Sequence, residues 1–453
     1  FGSHHVNAAF VYEATNSKYY TFSNGRQKFP LYQTDQYWAT SSSHDDMFAD
    51  GGPDTESGRA SWVFVGGYDY LSKYILNLSL RYDGSMNFAP DKRWGLFPAL
   101  SAGWLLSEES FLKDKKNISY LKLRASVGMT GNDAVGGWQW QESYSVGNSY
   151  MFGENLSKQY GLKYGSLINP NLTWEKSLSY NVGIDYELFS HLHGSVEYWY
   201  KHTYDILGNR QNSLPTTFSR VMPAENYGVV NAQGVDLSIG WRDRTGEVDW
   251  HANFTASYGW NEVVKKDYSE GLLDWEIPVG KSTNYIAGYS GYIIRTEEQL
   301  QDFLEKNPNY GTGPVGGLPI QLGSFVYVDK SGPEGTPDGV IDKYDKTILY
   351  ANPNPIVFGL NLGANWKNFS IDATFTGKLK NPKNYYAIAD YVDIALQMFN
   401  TEWMYDSWTP ENPDASLPMM APYGYKSYER SDTDFWYKDA SYIRLSNLNI
   451  GYT

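Results

Sequence analysis

Val248-Asp249-Trp250-His251-Ala252-Asn253-Phe254-Thr255-Ala256-Ser257-Tyr258 alternates apolar and polar residues without a break. Successive side chains of an extended strand point to opposite faces, so this stretch carries one oily face and one wet face. Val182-Gly183-Ile184-Asp185-Tyr186-Glu187-Leu188 and Ile371-Asp372-Ala373-Thr374-Phe375 repeat the pattern. Two architectures present such strands. A membrane β-barrel turns the apolar set to lipid and the polar set to a wet interior. A soluble β protein turns the apolar set to a dry core.

Spans of this kind recur at about 8–16, 60–70, 74–83, 94–106, 120–129, 178–189, 193–203, 233–242, 248–260, 356–366, 369–377 and 441–452. Some neighbours are joined tightly, through Leu71-Ser72-Lys73, Ser190-His191, Asp243-Arg244-Thr245-Gly246-Glu247 and Lys367-Asn368. Others are separated by 17–59, 131–177, 204–232, 261–355 and 378–440. If direction reverses at every connection, the short turns gather at one end of the strands. The long loops gather at the other, together with a short one at 84–93; only 107–119 is of middling length. Outer-membrane barrels sort their connections in this way, with short periplasmic turns and longer extracellular loops. A soluble sandwich has no reason to do so, and long unstructured loops are uncommon in compact domains.

The faces agree with a barrel. One face carries Leu76, Leu78, Leu80 and Tyr82; Val196, Tyr198 and Tyr200; Val235, Leu237, Ile239 and Trp241; Phe358, Leu360, Leu362, Ala364 and Trp366. The other carries Asn77, Ser79 and Arg81; Glu197, Trp199 and Lys201; Asp236, Ser238 and Arg242; Asn361 and Asn365. Water in a lumen tolerates these charges, whereas hydrocarbon penalises a mid-depth Arg or Lys by about 2–4 kcal/mol. Trp and Tyr gather near the span ends, where an aromatic girdle would sit. The expected fold is therefore all-β, a large antiparallel transmembrane β-barrel.

Composition narrows the function. The 453 residues include 39 Tyr and 16 Trp, no Cys, and a net charge of -14. The negative balance argues against a nucleic-acid partner. The absence of Cys leaves no disulfide framework. No run of eighteen apolar residues exists, which excludes a transmembrane helix and leaves membrane strands untouched. In hydrocarbon every strand needs a bonded neighbour on both sides. About a dozen spans, opening abruptly at Phe1-Gly2-Ser3 and stopping at Thr453, read as part of a larger barrel.

Leu80-Arg-Tyr-Asp-Gly-Ser-Met-Asn-Phe-Ala-Pro-Asp-Lys-Arg-Trp-Gly-Leu-Phe-Pro-Ala-Leu-Ser-Ala-Gly-Trp104 and Leu121-Lys-Leu-Arg-Ala-Ser-Val-Gly-Met-Thr-Gly-Asn-Asp133 resemble the SusC/RagA-type TonB-dependent transporters of Bacteroidota. So do Asn352-Pro-Asn-Pro355 and Tyr442-Ile-Arg-Leu-Ser-Asn-Leu-Asn-Ile-Gly-Tyr452, in the same order along the chain. The resemblance implies a barrel of about 22 strands around a plug. Residues 1–453 would be the C-terminal part of that barrel, with the plug, the first strands and the last strand or two outside it. It also implies active import of oligosaccharides or oligopeptides across the cell outer membrane. A SusD-like surface lipoprotein would form a lid over the mouth, and TonB-ExbB-ExbD would supply energy through the missing N-terminal part. Loops 131–177, 261–355 and 378–440 would face outside, and the short turns would face the periplasm.

Two loop features carry candidate chemistry. Asp329-Lys-Ser-Gly332 and Asp338-Gly-Val-Ile-Asp-Lys-Tyr-Asp345 flank the five residues Pro333–Pro337. Without those five the spacing is that of a calcium loop, which needs hard oxygens around a tight glycine turn. Asp329, Ser331, Asp338, Asp342 and Asp345 are the candidate Ca2+ ligands, with Gly339 at the turn. The insertion and the short final Asp weaken the match. The plain alternative is an acidic turn held by its own backbone hydrogen bonds.

Gly136-Gly-Trp-Gln-Trp-Gln-Glu-Ser-Tyr144 places Trp138, Trp140 and Tyr144 in one long loop, and Trp408 lies in the last one. Their rings are candidate substrate-binding plates, or anchors for a lid protein. Each could instead pack its own loop. Pro410, Pro413, Pro418 and Pro422 stiffen the last loop. Asp45, Asp46 and Asp50 form an acidic cluster, expected to be solvated. Glu297–Glu305 reads as a short helix with Leu300 and Leu304 on one face. No nucleophile, P-loop or dinucleotide fingerprint stands out, so a transporter that is not an enzyme is expected. The competing function is a surface-exposed glycan-binding or adhesive β protein without transport, soluble and with a filled core; a passive porin is a third.

Overall fold

The computed structural model describes residues 2–453 apart from 30–35, 37–42, 53–54, 155, 216, 219, 309–319, 386–391, 394–397, 400 and 421–431. Twelve long strands form one antiparallel sheet in which every strand neighbours its predecessor. They are β1 (His4–Tyr19), β2 (Thr55–Tyr70), β3 (Tyr74–Ser85), β4 (Trp94–Leu105), β5 (Ile118–Asn132) and β6 (Glu175–Leu188). Then follow β7 (Leu192–Asn209), β8 (Ala224–Thr245), β9 (Val248–Lys265), β10 (Ile356–Trp366), β11 (Phe369–Leu379) and β12 (Tyr442–Tyr452). Each of the twelve predicted spans is a strand. Among the described residues no helix is long and apolar enough to cross a membrane.

Local backbone chemistry explains the tight reversals. Leu71 and Ser72 both have φ 56° between β2 and β3, and Phe189 and Ser190 have φ 56° and 59° between β6 and β7. Two successive left-handed residues twist a hairpin in the sense the strands require. Asp69 steadies the first of these turns by accepting a hydrogen bond from the Ser72 amide at 2.9 Å.

Register keeps each face uniform from strand to strand. Ile239, Phe254 and Leu360 lie in one row across β8, β9 and β10, and Leu360 continues to Phe375 of β11. Trp241, Ala252, Leu362 and Ala373 form the next row, ending at Leu448 of β12. These large apolar residues are not buried: Leu362 is 40% exposed and Ile239 39%. The buried hydrophobic residues lie instead chiefly among the loops and at the strand ends beside them. Among the described residues there is therefore no dry intersheet core of a sandwich, and the oily face is left for another apolar medium.

The chain divides into two compact units. The unit made of 1–102, 127–178 and 203–227 has a core of Phe88, Phe97, Leu172, Trp174 and Ala224. The Trp174 indole donates to the Arg93 carbonyl at 2.9 Å. In the same unit Asp133 is buried and accepts from the Arg59 guanidinium and, at 2.6 Å, from the Ser85 hydroxyl. The unit made of 103–126, 179–202 and 228–453 builds its loop core from Tyr289, Ile293, Phe325, Tyr327 and Ile341, with a second cluster of Trp403, Leu417 and Trp436. The predicted helix is present as α1 (Glu297–Lys306), capped by Thr296. Phe303 is its buried anchor and Leu300 packs beside it. Leu304, expected on that face, is 41% exposed.

Candidate functional site: the polar face and the long loops

The polar face of β9–β11 is a connected hydrogen-bond array. His251 Nε2 lies 2.9 Å from Asn361 Oδ1, and Asn361 Nδ2 donates to Asp372 Oδ1 at 3.0 Å and to Thr374 Oγ1 at 3.1 Å. His193 Nε2 lies 3.1 Å from Asn253 Oδ1. Glycine makes the room: a Cβ on Gly363 would stand 2.2 Å from His251, and one on Gly240 2.3 Å from His193. Arg124 on β5 meets Asp185 of β6 at 3.1 Å and Glu197 of β7 at 2.6 Å. Trp199, an aromatic on this otherwise polar face, covers Gly234 and Gly259. A surface of paired ions and amides suits a water-filled interior, where each group also reaches solvent.

The aromatic candidates divide between the units. Trp138 is 42% exposed, has φ 65° and leans on Trp140 with ring centroids 5.8 Å apart. Tyr144 is 55% exposed, sits 5.2 Å from Tyr164 and donates to Glu142 at 3.2 Å. It opens a hairpin, Tyr144–Phe152 paired with Ser157–Tyr164, inside the long loop expected at 131–177. In the other unit Trp408 packs against the Tyr289–Tyr327 cluster, and its ring occupies the space a side chain on Gly323 would need. Pro422, Tyr423, Tyr425 and Tyr428 lie outside the described residues. In the first long loop Asp46 is buried and ion-paired with Lys28 at 2.6 Å, not solvated.

The acidic turn is closed by its own carboxylates. Asp345 Oδ1 accepts from the Lys330 and Ser331 amides at 2.7 and 3.2 Å, and Oδ2 accepts from the Asp342 amide at 2.8 Å. Asp342 accepts from Tyr344 at 2.8 Å, Asp338 from Val340 at 3.0 Å, and Asp329 Oδ2 from Gly339, whose φ is 79°. Asp345 is fully buried, and desolvation, aided by the nearby Asp329 charge, raises its pKa above the ordinary carboxylate value. Asp329 Oδ1 is buried without a hydrogen-bond partner. These hard oxygens fit calcium in kind. Among the described residues no three acidic or histidine side chains converge on one point as they stand.

Sequence reasoning passed over Trp275. Its Nε1 donates to the Lys343 carbonyl at 3.0 Å, and the Lys346 ammonium lies 5.1 Å from its ring centroid. Nothing local in Leu273-Asp274-Trp275-Glu276 separates it from the other loop aromatics; its partners come from the acidic turn, far along the chain.

Comparison with known proteins agrees with this geometry. The family model described as TonB dependent receptor-like, beta-barrel matches residues 3–338. The chain is 27% identical to the TonB-dependent receptor SusC of Bacteroides thetaiotaomicron over 398 residues, covering 85% of this chain and 37% of that protein. It is 28% identical to the TonB-dependent receptor P3 of Formosa agariphila over 397 residues, covering 85% and 37%. The chain thus spans well under half the length of these curated relatives. Among solved structures, that of the RagAB peptide transporter superposes with a TM-score of 0.72 at 20% identity, covering all of this chain and 47% of the other. With the family model matching residues 3–338 and the twelve-stranded sheet in agreement, the chain belongs to the TonB-dependent receptor-like β-barrel family of the outer membrane.

Proposed function

We propose that this chain is the strand-and-loop part of an active importer in the cell outer membrane that carries oligosaccharides or oligopeptides inward. One observation carries the reading: the sheet exposes an unbroken oily face and backs it with a hydrogen-bonded polar one. The oily face meets lipid and the polar face lines the path. Family membership adds the energy source, TonB with ExbB and ExbD, acting through parts of the protein outside this chain. A SusD-like lipoprotein closes the extracellular mouth as a lid. Loops 131–177, 261–355 and 378–440 face outward and the short turns face the periplasm; in one unit Trp138, Trp140 and Tyr144 offer rings to cargo, and in the other Trp408 does so from its seat against the loop core. Import needs a binding surface, a gated path and external energy, and no covalent step.

Growth on candidate glycans and peptides, with and without the intact protein and with and without TonB, tests this. Uptake that survives removal of TonB or of the barrel refutes it. A monodisperse particle obtained without detergent would favour the surface-binding alternative. Calcium belongs to the same proposal. The orphaned Asp329 Oδ1 supports a site formed with Ser331, Asp338, Asp342 and Asp345. Isothermal titration of chelator-treated protein should show heat that Asp338→Asn reduces; no heat in either protein removes the ion from the account.

A further inference from the structure

A cavity of about 470 Å³ opens on the connection between β9 and β10, beside the acidic turn. Trp275, Pro333 and Gly335 are among its lining residues. The latter two belong to the five residues that interrupt the turn, so the insertion has a position: it is part of the cavity's lining.

Trp275 is held at three points. Its indole N–H donates to the Lys343 carbonyl, its own carbonyl accepts from the Tyr285 hydroxyl at 2.7 Å, and the Lys346 ammonium lies near its ring. A ring fixed in this way loses little freedom when a ligand stacks on it. The charges at the cavity are already matched. Lys346 pairs with Asp432 at 2.5 Å, and Asp274 lies 3.4 Å from the Lys281 ammonium. A charged ligand would have to disturb one of these pairs. What remains is an apolar plate in a lining shared with Tyr344, Ser331 and Thr347; the Ser331 hydroxyl lies 3.4 Å from the Gly332 carbonyl and the Thr347 hydroxyl accepts from the Lys330 ammonium at 3.2 Å, and each keeps capacity for a further uncharged partner. A pyranose ring offers the complement: a C–H face for the indole and a rim of uncharged hydroxyls that donate and accept.

We propose that this cavity is a subsite for one neutral sugar residue of a glycan, with Trp275 as the stacking plate and Pro333 and Gly335 as part of the surrounding wall. The proposal deepens the import reading and rests on it only for the loop's position outside the cell.

The test is binding to the intact protein in detergent, read by saturation-transfer NMR and calorimetry. The probes are cellotriose, xylotriose, mannotriose and chitotriose, with trialanine and trilysine as peptide probes. At least one trisaccharide should bind with saturation on its ring C–H protons. Trp275→Ala should weaken it about tenfold or more, and Trp275→Phe, which keeps a ring, by less than about threefold. Removal of Pro333–Pro337 should weaken it as Trp275→Ala does, and Glu305→Gln on α1, which takes no part in the cavity lining, should leave it nearly unchanged. Retained heat-modifiable gel mobility shows that each variant is folded. No trisaccharide binding, sugar binding indifferent to Trp275→Ala, or a tripeptide that binds and is lost in that variant overturns the proposal. The assay does not read uptake, so intact binding with TonB-independent uptake would sink the import reading alone.

Discussion

Phe254 and Thr255 are adjacent on β9 and point to opposite faces, so they lie at nearly the same depth. Phe254 stands between Ile239 and Leu360, is 36% exposed, and stacks on Phe358 with centroids 6.3 Å apart. Thr255 stands between Ser238 and Gly359. Phe254→Arg places a charge in hydrocarbon, at about 2–4 kcal/mol near mid-depth. It also removes an aromatic pair, about 0.5–1.5 kcal/mol more. Thr255→Arg places the same charge in water and should cost about 0.5 kcal/mol. The expected gap is at least about 2 kcal/mol, roughly thirtyfold in the folding equilibrium. Urea titration of the intact protein in phosphatidylcholine vesicles, read by heat-modifiable gel mobility, measures both variants on one scale. Equal costs, or Thr255→Arg as the worse of the two, would refute the assignment of the faces and the import reading with it.

Gly363→Ala should destabilise by about 1–3 kcal/mol, because the new methyl must push the His251 ring off Asn361; the same urea titration reads it. Asp133→Ala should loosen the loop that follows β5 by about 1–3 kcal/mol, since it leaves the buried Ser85 hydroxyl without its acceptor; limited proteolysis between 133 and 174 should speed up while sheet mobility on gels is retained. Asp345 gives a pH dependence opposite to that of an ordinary carboxylate. Its folded pKa is raised, so its contribution is fully present below the unfolded value of 3.8 and is lost as pH rises through the higher folded value. In chelator, amide protection at Lys330, Ser331 and Asp342, corrected for intrinsic exchange, should therefore be greater in acid than at neutral pH; protection that falls on acidification contradicts this.

The strands were legible because each of their faces meets a different medium, and that difference prints a period of two on the sequence. Where both faces meet the same surroundings, the print fades. β8 begins at Ala224, well before the alternation that starts near 233, because hydrogen bonding to its neighbours carries the strand past the oily band. Phe325-Val326-Tyr327 is a strand buried on every side, so it shows no alternation at all. The hairpin opening at Tyr144 was obscured by Gly147-Asn148 at its bulge. Individual aromatic roles were less legible still. Whether Trp408 meets cargo or its own loop is decided partly by Gly323, distant in sequence, whose missing side chain leaves the indole its seat.

The same physical preference that leaves Leu362 and Phe254 exposed on the sheet buries Trp403, Trp436 and Tyr327 in the loops. Closing a long connection adds only about 0.6 kcal/mol for each doubling of its length. Ordering it costs far more, on the order of 1–2 kcal/mol per residue of backbone. The described part of the segment from Lys266 to Pro355 can be ordered only if it buries apolar surface of its own. It does so through Ile293, Phe325, Tyr327 and Ile341, with Phe303 of α1 in a neighbouring cluster. The long loops thus carry small apolar cores of their own, beside strands whose oily face stays exposed. A rigid loop core can hold a plate such as Trp275 in one orientation, which a solvated loop could not; on the proposed import reading this makes the loops, more than the sheet, the place to look for cargo chemistry.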